Sequence, residues 1–295
     1  MDDTFIAMTL NRLTWKDHSL DFDARPRIMG IVNVTPDSFS DGGHFYTQDR
    51  AIDHGLRLVD EGADIIDIGG ESTRPFADPV SEEEEIRRVA PVIEALARKI
   101  RQPISIDTTK SGVAKRALEA GASIINDISG MFLDDEMAPL AASAKVPVIL
   151  MHMKGSPGTM QLSPSYENII SEIIDFLKNA MDRAVKNGVP KSMIIIDPGI
   201  GFGKTISHNL SIIKHLREFK ILGAPILMGH SRKSFIQRLL EKNPGQNSSP
   251  ESGMVETGTQ AAGAAAILNG ADILRVHDVA GAMATVTLID AIMKS

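Results

Sequence analysis

Short apolar, β-rich segments recur along almost the whole chain, near 28–34, 64–68, 103–107, 123–126, 146–151, 193–197, 224–228 and 272–276. A stretch of helical periodicity follows each one, at about 48–62, 82–100, 112–120, 135–144, 165–187, 207–219, 232–241 with 254–269, and 279–293. Strands that are apolar on both faces are buried on both faces, as in parallel sheets whose crossovers are helices. The punctuation agrees. Ser81 precedes Glu82, Glu83, Glu84 and Glu85, a capped, acidic first turn that suits the helix dipole. Gly62, Gly121, Gly188, Gly223 and Gly270 fall where helices stop. Eight such units within 295 residues predict an α/β fold of the (β/α)8 barrel type, with a doubly wound sheet as the alternative. No boundary interrupts the series, so residues 1–295 are expected to form one domain.

Residues 1–26 stand outside the alternation. Leu10, Leu13, Trp15, Leu20 and Phe22 alternate with polar residues around a break at Asp17-His18, which predicts a β-hairpin placed to plug the bottom of the barrel. Asn243 to Gly253, rich in Pro, Ser, Gly and Asn, reads as a mobile surface loop.

Composition narrows the function. Apolar residues make up 43% of the chain and aromatics only 4%, so small and β-branched side chains must fill the core. The net charge of −7 argues against a nucleic-acid partner. No run approaches the 18 or so apolar residues of a membrane span. With no cysteine there is neither disulfide nor thiolate chemistry, and the start Met1-Asp2-Asp3-Thr4 lacks a signal-peptide pattern. A soluble cytoplasmic protein is the expectation.

A (β/α)8 barrel places its chemistry on the loops that leave the C-terminal ends of the strands. Every predicted strand here ends in polar residues: Asn33 with Asp37 and Asp41; Gly69 to Pro75; Asp107-Thr108; Asn126-Asp127; Met151 to Gly155; Asp197 to Lys204; Gly229 to Ser234; and Arg275 to Asp278. One polar strand end is a turn, whereas eight around one mouth make a binding site. Asp107, Asn126 and Asp197 are short acceptors after apolar runs, so they should lie deep. A buried carboxylate needs donors, and a 2-amino-4-oxopyrimidine edge offers two parallel N–H groups. For Asp197 the ordinary alternative is a helix cap or a salt bridge to Lys233. Thr73, Arg74, Lys233, Arg275 and His277 form a cationic, donor-rich set suited to an anion. Asn33 and the nearby aspartates suit a hard cation such as Mg2+, while the absence of Cys and of a close His pair argues against zinc. Gly199-Ile200-Gly201-Phe202-Gly203-Lys204 lacks P-loop spacing and reads as a tight turn beside a ligand, with Phe202 as an apolar face. Met151 and Met153 read as pocket wall.

Two long segments, Met29 to Gly43 and Gly62 to Pro75, resemble the signatures of the dihydropteroate synthase family. The resemblance continues through Ile106-Asp107-Thr108, Ile125-Asn126-Asp127, Met151-His152-Met153, Asp197-Pro198-Gly199, Ser231 to Ser234 and Arg275 to Asp278. It implies a TIM barrel, usually a homodimer, whose partners are small molecules. The implied reaction joins 6-hydroxymethyl-7,8-dihydropterin diphosphate to 4-aminobenzoate, giving 7,8-dihydropteroate and pyrophosphate by an SN1-like path, with sulfonamides competing for the aminobenzoate site. It further implies that Asp107, Asn126, Asp197 and Lys233 hold the pterin, with Met151 and Gly229 beside it. Asn33, Arg275 and His277 would hold the diphosphate, with Mg2+ at Asn33. Phe39, Thr73, Arg74, Pro75, Phe202, Lys233 and Ser234 would frame the aminobenzoate pocket. Asp37, Asp41, Arg74 and Lys233 would serve catalysis, the first three from loops that close over the substrates. Phe76, Thr109, Ser111, Gly158 and Ile200 depart from the family pattern without removing a group the reaction needs. Two other readings share the deep acceptors: a corrinoid-linked methyltetrahydrofolate methyltransferase, which needs no diphosphate site, and a non-catalytic pterin-binding paralogue.

Overall fold

Period-2 alternation in the N-terminal segment resolves into a hairpin, β1 (Arg12–Trp15) and β2 (His18–Asp21), paired antiparallel with Leu13 opposite Leu20. The computed structural model describes residues 11–35, 44–72, 79–155, 160, 164–241 and 251–295. After the hairpin come eight parallel strands: β3 (Arg27–Asn33), β4 (Ile65–Gly69), β5 (Ile104–Asp107), β6 (Ile124–Asp127), β7 (Val148–Met151), β8 (Ile194–Asp197), β9 (Leu227–Met228) and β10 (Ile273–Val276). They pair in the order β8-β7-β6-β5-β4-β3-β10-β9, and a parallel bridge from Ile196 to Ile226 joins the two ends into a barrel. Full closure removes the sheet edges that an open sheet would have to protect.

Helices cover the outside: α1 (His44–Asp60), α2 (Glu82–Ala97), α3 (Ser111–Ala120), α4 (Met137–Ala144), α5 (Ile169–Lys186), α6 (Ile206–Lys214), α7 (Ser234–Leu240), α8 (Ser252–Leu268) and α9 (Val279–Lys294). The expected cap of α2 is present, with Ser81 Oγ accepting the Glu84 N–H at 3.3 Å. The helix predicted over 165–187 begins only at Ile169, because Asn168 Oδ1 accepts the Ser171 N–H at 3.1 Å and so caps it there. That predicted over 207–219 stops at Lys214 and continues as a 3-10 turn over Leu216–Leu222. Leu216, Phe219 and Leu222 are all buried at three-residue spacing, which a 3.0-residue turn stacks on one side. β9 starts later than its apolar run because Pro225 has no N–H to give, and Ile226 N–H goes to Asp272 Oδ2 at 2.7 Å.

Alternation along the strands separates two apolar layers. Ile28, Val32, Ile66, Ile68, Ile106, Ile125, Leu150, Ile196 and Leu274 point outward and pack under the helices. Met29, Ile65, Ile124, Ile149, Ile195, Leu227 and Ile273 point inward at the lower end, where Leu13, Trp15 and Leu20 of the hairpin close over them. The bottom of the barrel is therefore solid apolar core, as the hairpin prediction requires. Several inward positions one step higher are polar, among them Asp67, Asn126, Asp197 and Arg275, and they define the site.

Candidate active site

Continuing up the inward face of each strand, the next positions are Asn33, Asp67, Gly69, Asp107, Asn126, Met151, Asp197, Gly229, Arg275 and His277. Short strands, all in one ring, carry these groups to a common mouth. Arg275 lies among the carboxylates rather than above them: Nε donates to Asp67 Oδ2 and Nη2 to Asp107 Oδ2, each at 2.6 Å. Asn126 Nδ2 stands 3.2 Å and 3.4 Å from the two oxygens of Asp67, which is fully buried. Burial opposes the charge of Arg275, but Asp67 and Asp107 outweigh it and the guanidinium stays firmly protonated. Burial lifts the Asp107 carboxyl to about 7, against the pull of Arg275. A second carboxylate, Asp197, is lifted by burial to about 6, with its Oδ1 accepting the Gly199 N–H at 2.7 Å. That bond is a local turn contact, neither a helix cap nor a salt bridge to Lys233. The position of Asp197 on the inner wall, beside Gly229, leaves the carboxylate turned to the same space: a Cβ added at Gly229 would sit 3.6 Å from Asp197 Oδ2. Asp127, by contrast, points away from the mouth and accepts from Ser129 N, Ser129 Oγ and Met131 N to shape its own loop.

The glycine loop forms one wall. Gly199, Gly201 and Gly203 all have positive φ, and at Gly199 a Cβ would stand 1.9 Å from the His152 carbonyl oxygen. This close approach brings Phe202 over Met151, Met160 and Ile128 as a small apolar cluster. Lys233 Nζ lies 4.1 Å from the centre of the Phe202 ring. Ser234 opens α7 and is exposed. Lys204, also buried, pins the loop from behind, with Nζ 2.9 Å from both His152 Nδ1 and the Phe202 carbonyl oxygen. Burial lowers this amine to about 7 and drives the neighbouring imidazole far below its ordinary range. On the other side of the mouth, Ser231 Oγ is 2.9 Å from His277 Nδ1 and 3.2 Å from the His277 N–H. The His277 ring is thereby fixed at the strand end.

Asn33 closes β3 at the same level, and its side chain has no hydrogen-bond partner among the described residues. Among those residues there is no cluster of three or more His, Cys, Asp or Glu able to hold a metal. Asp37, Phe39, Asp41, Thr73, Arg74 and Pro75 lie outside the described residues, as do Phe76, Gly158 and most of the stretch from Asn243 to Gly253. Of the other departures, Ser111 opens α3 and gives its N–H to Asp134 Oδ2 at 2.7 Å, a bond proline could not make. Ile200 is core. Sequence reasoning missed one residue of the site, Asp67, and placed Lys204 at a strand end beside the ligand loop without giving it a role. The signal for Asp67 was its inward place in the alternation of Ile65-Ile66-Asp67-Ile68-Gly69, two residues below the strand end.

A barrel with deep acceptors, a cation among them and a tight glycine wall defines a small-molecule enzyme of the (β/α)8 class. Comparison with known proteins makes this specific. The family model described as "Pterin binding enzyme" matches residues 29–277. The dihydropteroate synthase of Synechocystis sp. is 48% identical over 259 residues, covering 88% of this chain and 87% of that one. Among solved structures, the Yersinia pestis dihydropteroate synthase in a sulfonamide drug complex superposes with a TM-score of 0.87 at 42% identity, covering 96% of this chain and all (100%) of that one. The Xanthomonas albilineans dihydropteroate synthase in complex with 7,8-dihydropteroate gives a TM-score of 0.85 at 41% identity, covering 96% and 99%. The chain belongs to the pterin-binding enzymes and, within them, to the dihydropteroate synthases, which are transferases.

Proposed function

We infer that the chain condenses 6-hydroxymethyl-7,8-dihydropterin diphosphate with 4-aminobenzoate, releasing pyrophosphate. The observation that carries this reading is the juxtaposition of two acceptors, the part-buried Asp107 and the buried Asp197, with Asn126 and the Arg275 guanidinium at one barrel mouth. In this reading the carboxylates accept the amidine-like N–H groups of the pterin. Arg275, His277 and Lys233 face the departing diphosphate, and Phe202 with Ser234 borders the aminobenzoate.

The reaction is an exchange at one carbon. The C–O bond between the pterin methylene and the diphosphate breaks with its electron pair going to oxygen, and the ring nitrogens delocalise the cation left behind. The aromatic amine then gives its lone pair to the methylene and afterwards loses a proton. Fixed cations aimed at the departing oxygen stabilise charge where it develops. A neutral aniline nitrogen already carries the lone pair that attacks, so the step needs no strong base to generate the nucleophile.

Mg2+ fits this site through Asn33, an inward amide with an oxygen donor and no hydrogen bond among the described residues. It keeps most of its waters and needs only one or two protein oxygens beside a phosphate ligand. When bound it would neutralise charge on the diphosphate. A cytoplasmic homodimer acting on small molecules alone completes the proposal. One observation supports the association between copies: Leu288, Ile292 and Met293 of α9 are exposed.

The test is chromatographic detection of 7,8-dihydropteroate from the two substrates and Mg2+. Wild type should form it and Asp197→Ala should not. Absence of product with wild type would overturn the assignment.

A further inference from the structure

Asp67 touches no solvent and binds two of the groups that face the ligand, Asn126 and Arg275. An ionised carboxylate only accepts hydrogen bonds, so the amide of Asn126 must turn its NH2 toward Asp67. The reverse orientation would set the amide oxygen against two carboxylate oxygens. One N–H of Asn126 is thus committed to Asp67, whose Oδ2 is shared with Arg275 Nε at 2.6 Å. The second N–H and Oδ1 remain, and neither has a partner among the described residues. Asn126 therefore offers a ligand one donor and one acceptor side by side, in an order fixed from behind.

The pyrazine-side edge of a pterin reads this pattern differently in its two oxidation states. In the 7,8-dihydro form N1 accepts while the adjacent N8–H donates. In the fully oxidised form both nitrogens accept, and one would face Asn126 Oδ1. A polar group left facing a like group in a buried site loses far more than a missing methylene does. We propose that Asp67 is a positioning residue that locks the Asn126 amide and thereby selects the dihydro over the oxidised pterin. This rests on the pterin reading of the site given above.

The test is calorimetric titration with 6-hydroxymethyl-7,8-dihydropterin and with 6-hydroxymethylpterin. Wild type should prefer the dihydro form by about tenfold or more. In Asp67→Asn the partner amide can present either oxygen or NH2, so Asn126 is free to flip. The preference should then fall to about threefold or less, even though both affinities drop through the loss of a charge partner for Arg275. A purely structural role for Asp67 would weaken both ligands alike and leave the ratio unmoved. Should Asp67→Asn fail to fold, Asn126→Ala tests the same point, since removing the amide should also abolish the preference. Equal wild-type binding of the two forms, or an unchanged ratio in both variants, would overturn the role of Asp67 while leaving the pterin site intact. Failure of wild type to bind either form would overturn both readings.

Discussion

Asp107 and Asp197 enter the ligand-free barrel with their carboxyls raised by burial, to about 7 and about 6. Each must be ionised to accept the N–H groups of a pterin, so below its pKa binding has to expel a proton. Pterin affinity should therefore rise with pH between 5 and 7 and level off above about 7, by up to about tenfold per unit for each group that must deprotonate. Calorimetry at several pH values checks this, and a flat profile would contradict it. Folding stability of the ligand-free protein runs the opposite way. A carboxyl whose folded pKa is raised contributes stability that is fully present below its unfolded value of about 4 and is lost as pH rises through 6 to 7. The thermal shift caused by pterin should consequently be larger at pH 8 than at pH 5.5. A second prediction separates the deep site from the anion. Arg275→Ala should weaken the pterin diphosphate by at least about tenfold more than free 6-hydroxymethyl-7,8-dihydropterin, because a charge-assisted contact is worth about 1.5–3 kcal/mol. Equal losses in calorimetry would place Arg275 with the ring rather than the diphosphate. Residues that end a strand were legible in the sequence because loop and strand compositions differ. Asp67 was not, since it sits inside an apolar run, and the role of Lys204 was not, since it is set by contacts with His152 and Phe202, 52 and 2 residues away.

At the scale of elements, the hairpin and the glycine loop make opposite demands. Leu13 is fully buried against the lower inward layer, and the site lies one layer above it. Leu13→Ala should destabilise the fold by about 2–5 kcal/mol, read from the fluorescence of the single tryptophan, Trp15, during urea unfolding. Activity below the melting temperature should be nearly unchanged; a large loss in kcat would mean that the plug shapes the mouth. Gly199→Ala should do the reverse. With φ at +72° and the His152 carbonyl oxygen 1.9 Å from an added Cβ, the loop has to move, carrying Phe202 and the Asp197 contact with it. Its kcat/KM should fall by about a hundredfold or more, on the scale of an approximately 1 Å misplacement of reacting groups. The existence and order of these elements follow from hydrophobic period, which is local information. Their exact ends do not: α5 starts where Asn168 caps it, and β9 is shortened by Pro225 and by Asp272, a residue 46 positions from the N–H it accepts.

For the whole molecule, closure of the ring is what converts eight separate strand ends into one site. The β8–β9 junction is the seam, held by the Ile196–Ile226 bridge and by the Ile196 N–H on the Pro225 carbonyl at 2.9 Å. The outer surface carries the proposed association between copies. Leu288 and Ile292 are 62% and 54% exposed on α9, so replacing both with glutamate should shift the light-scattering mass from dimer to monomer; an unchanged dimer would place the contact elsewhere. Loop geometry around the mouth was the least legible feature from sequence, because it depends on contacts between strand ends far apart in the chain. The proposed chemistry turns on one coupled event at that mouth: the diphosphate leaves and the arylamine takes its place before water does. The direct measurement is simultaneous quantitation of pyrophosphate and 7,8-dihydropteroate from purified protein with both substrates and Mg2+. The prediction is release of the two in a one-to-one ratio throughout the time course; no dihydropteroate, or pyrophosphate released in large excess over it, would contradict it.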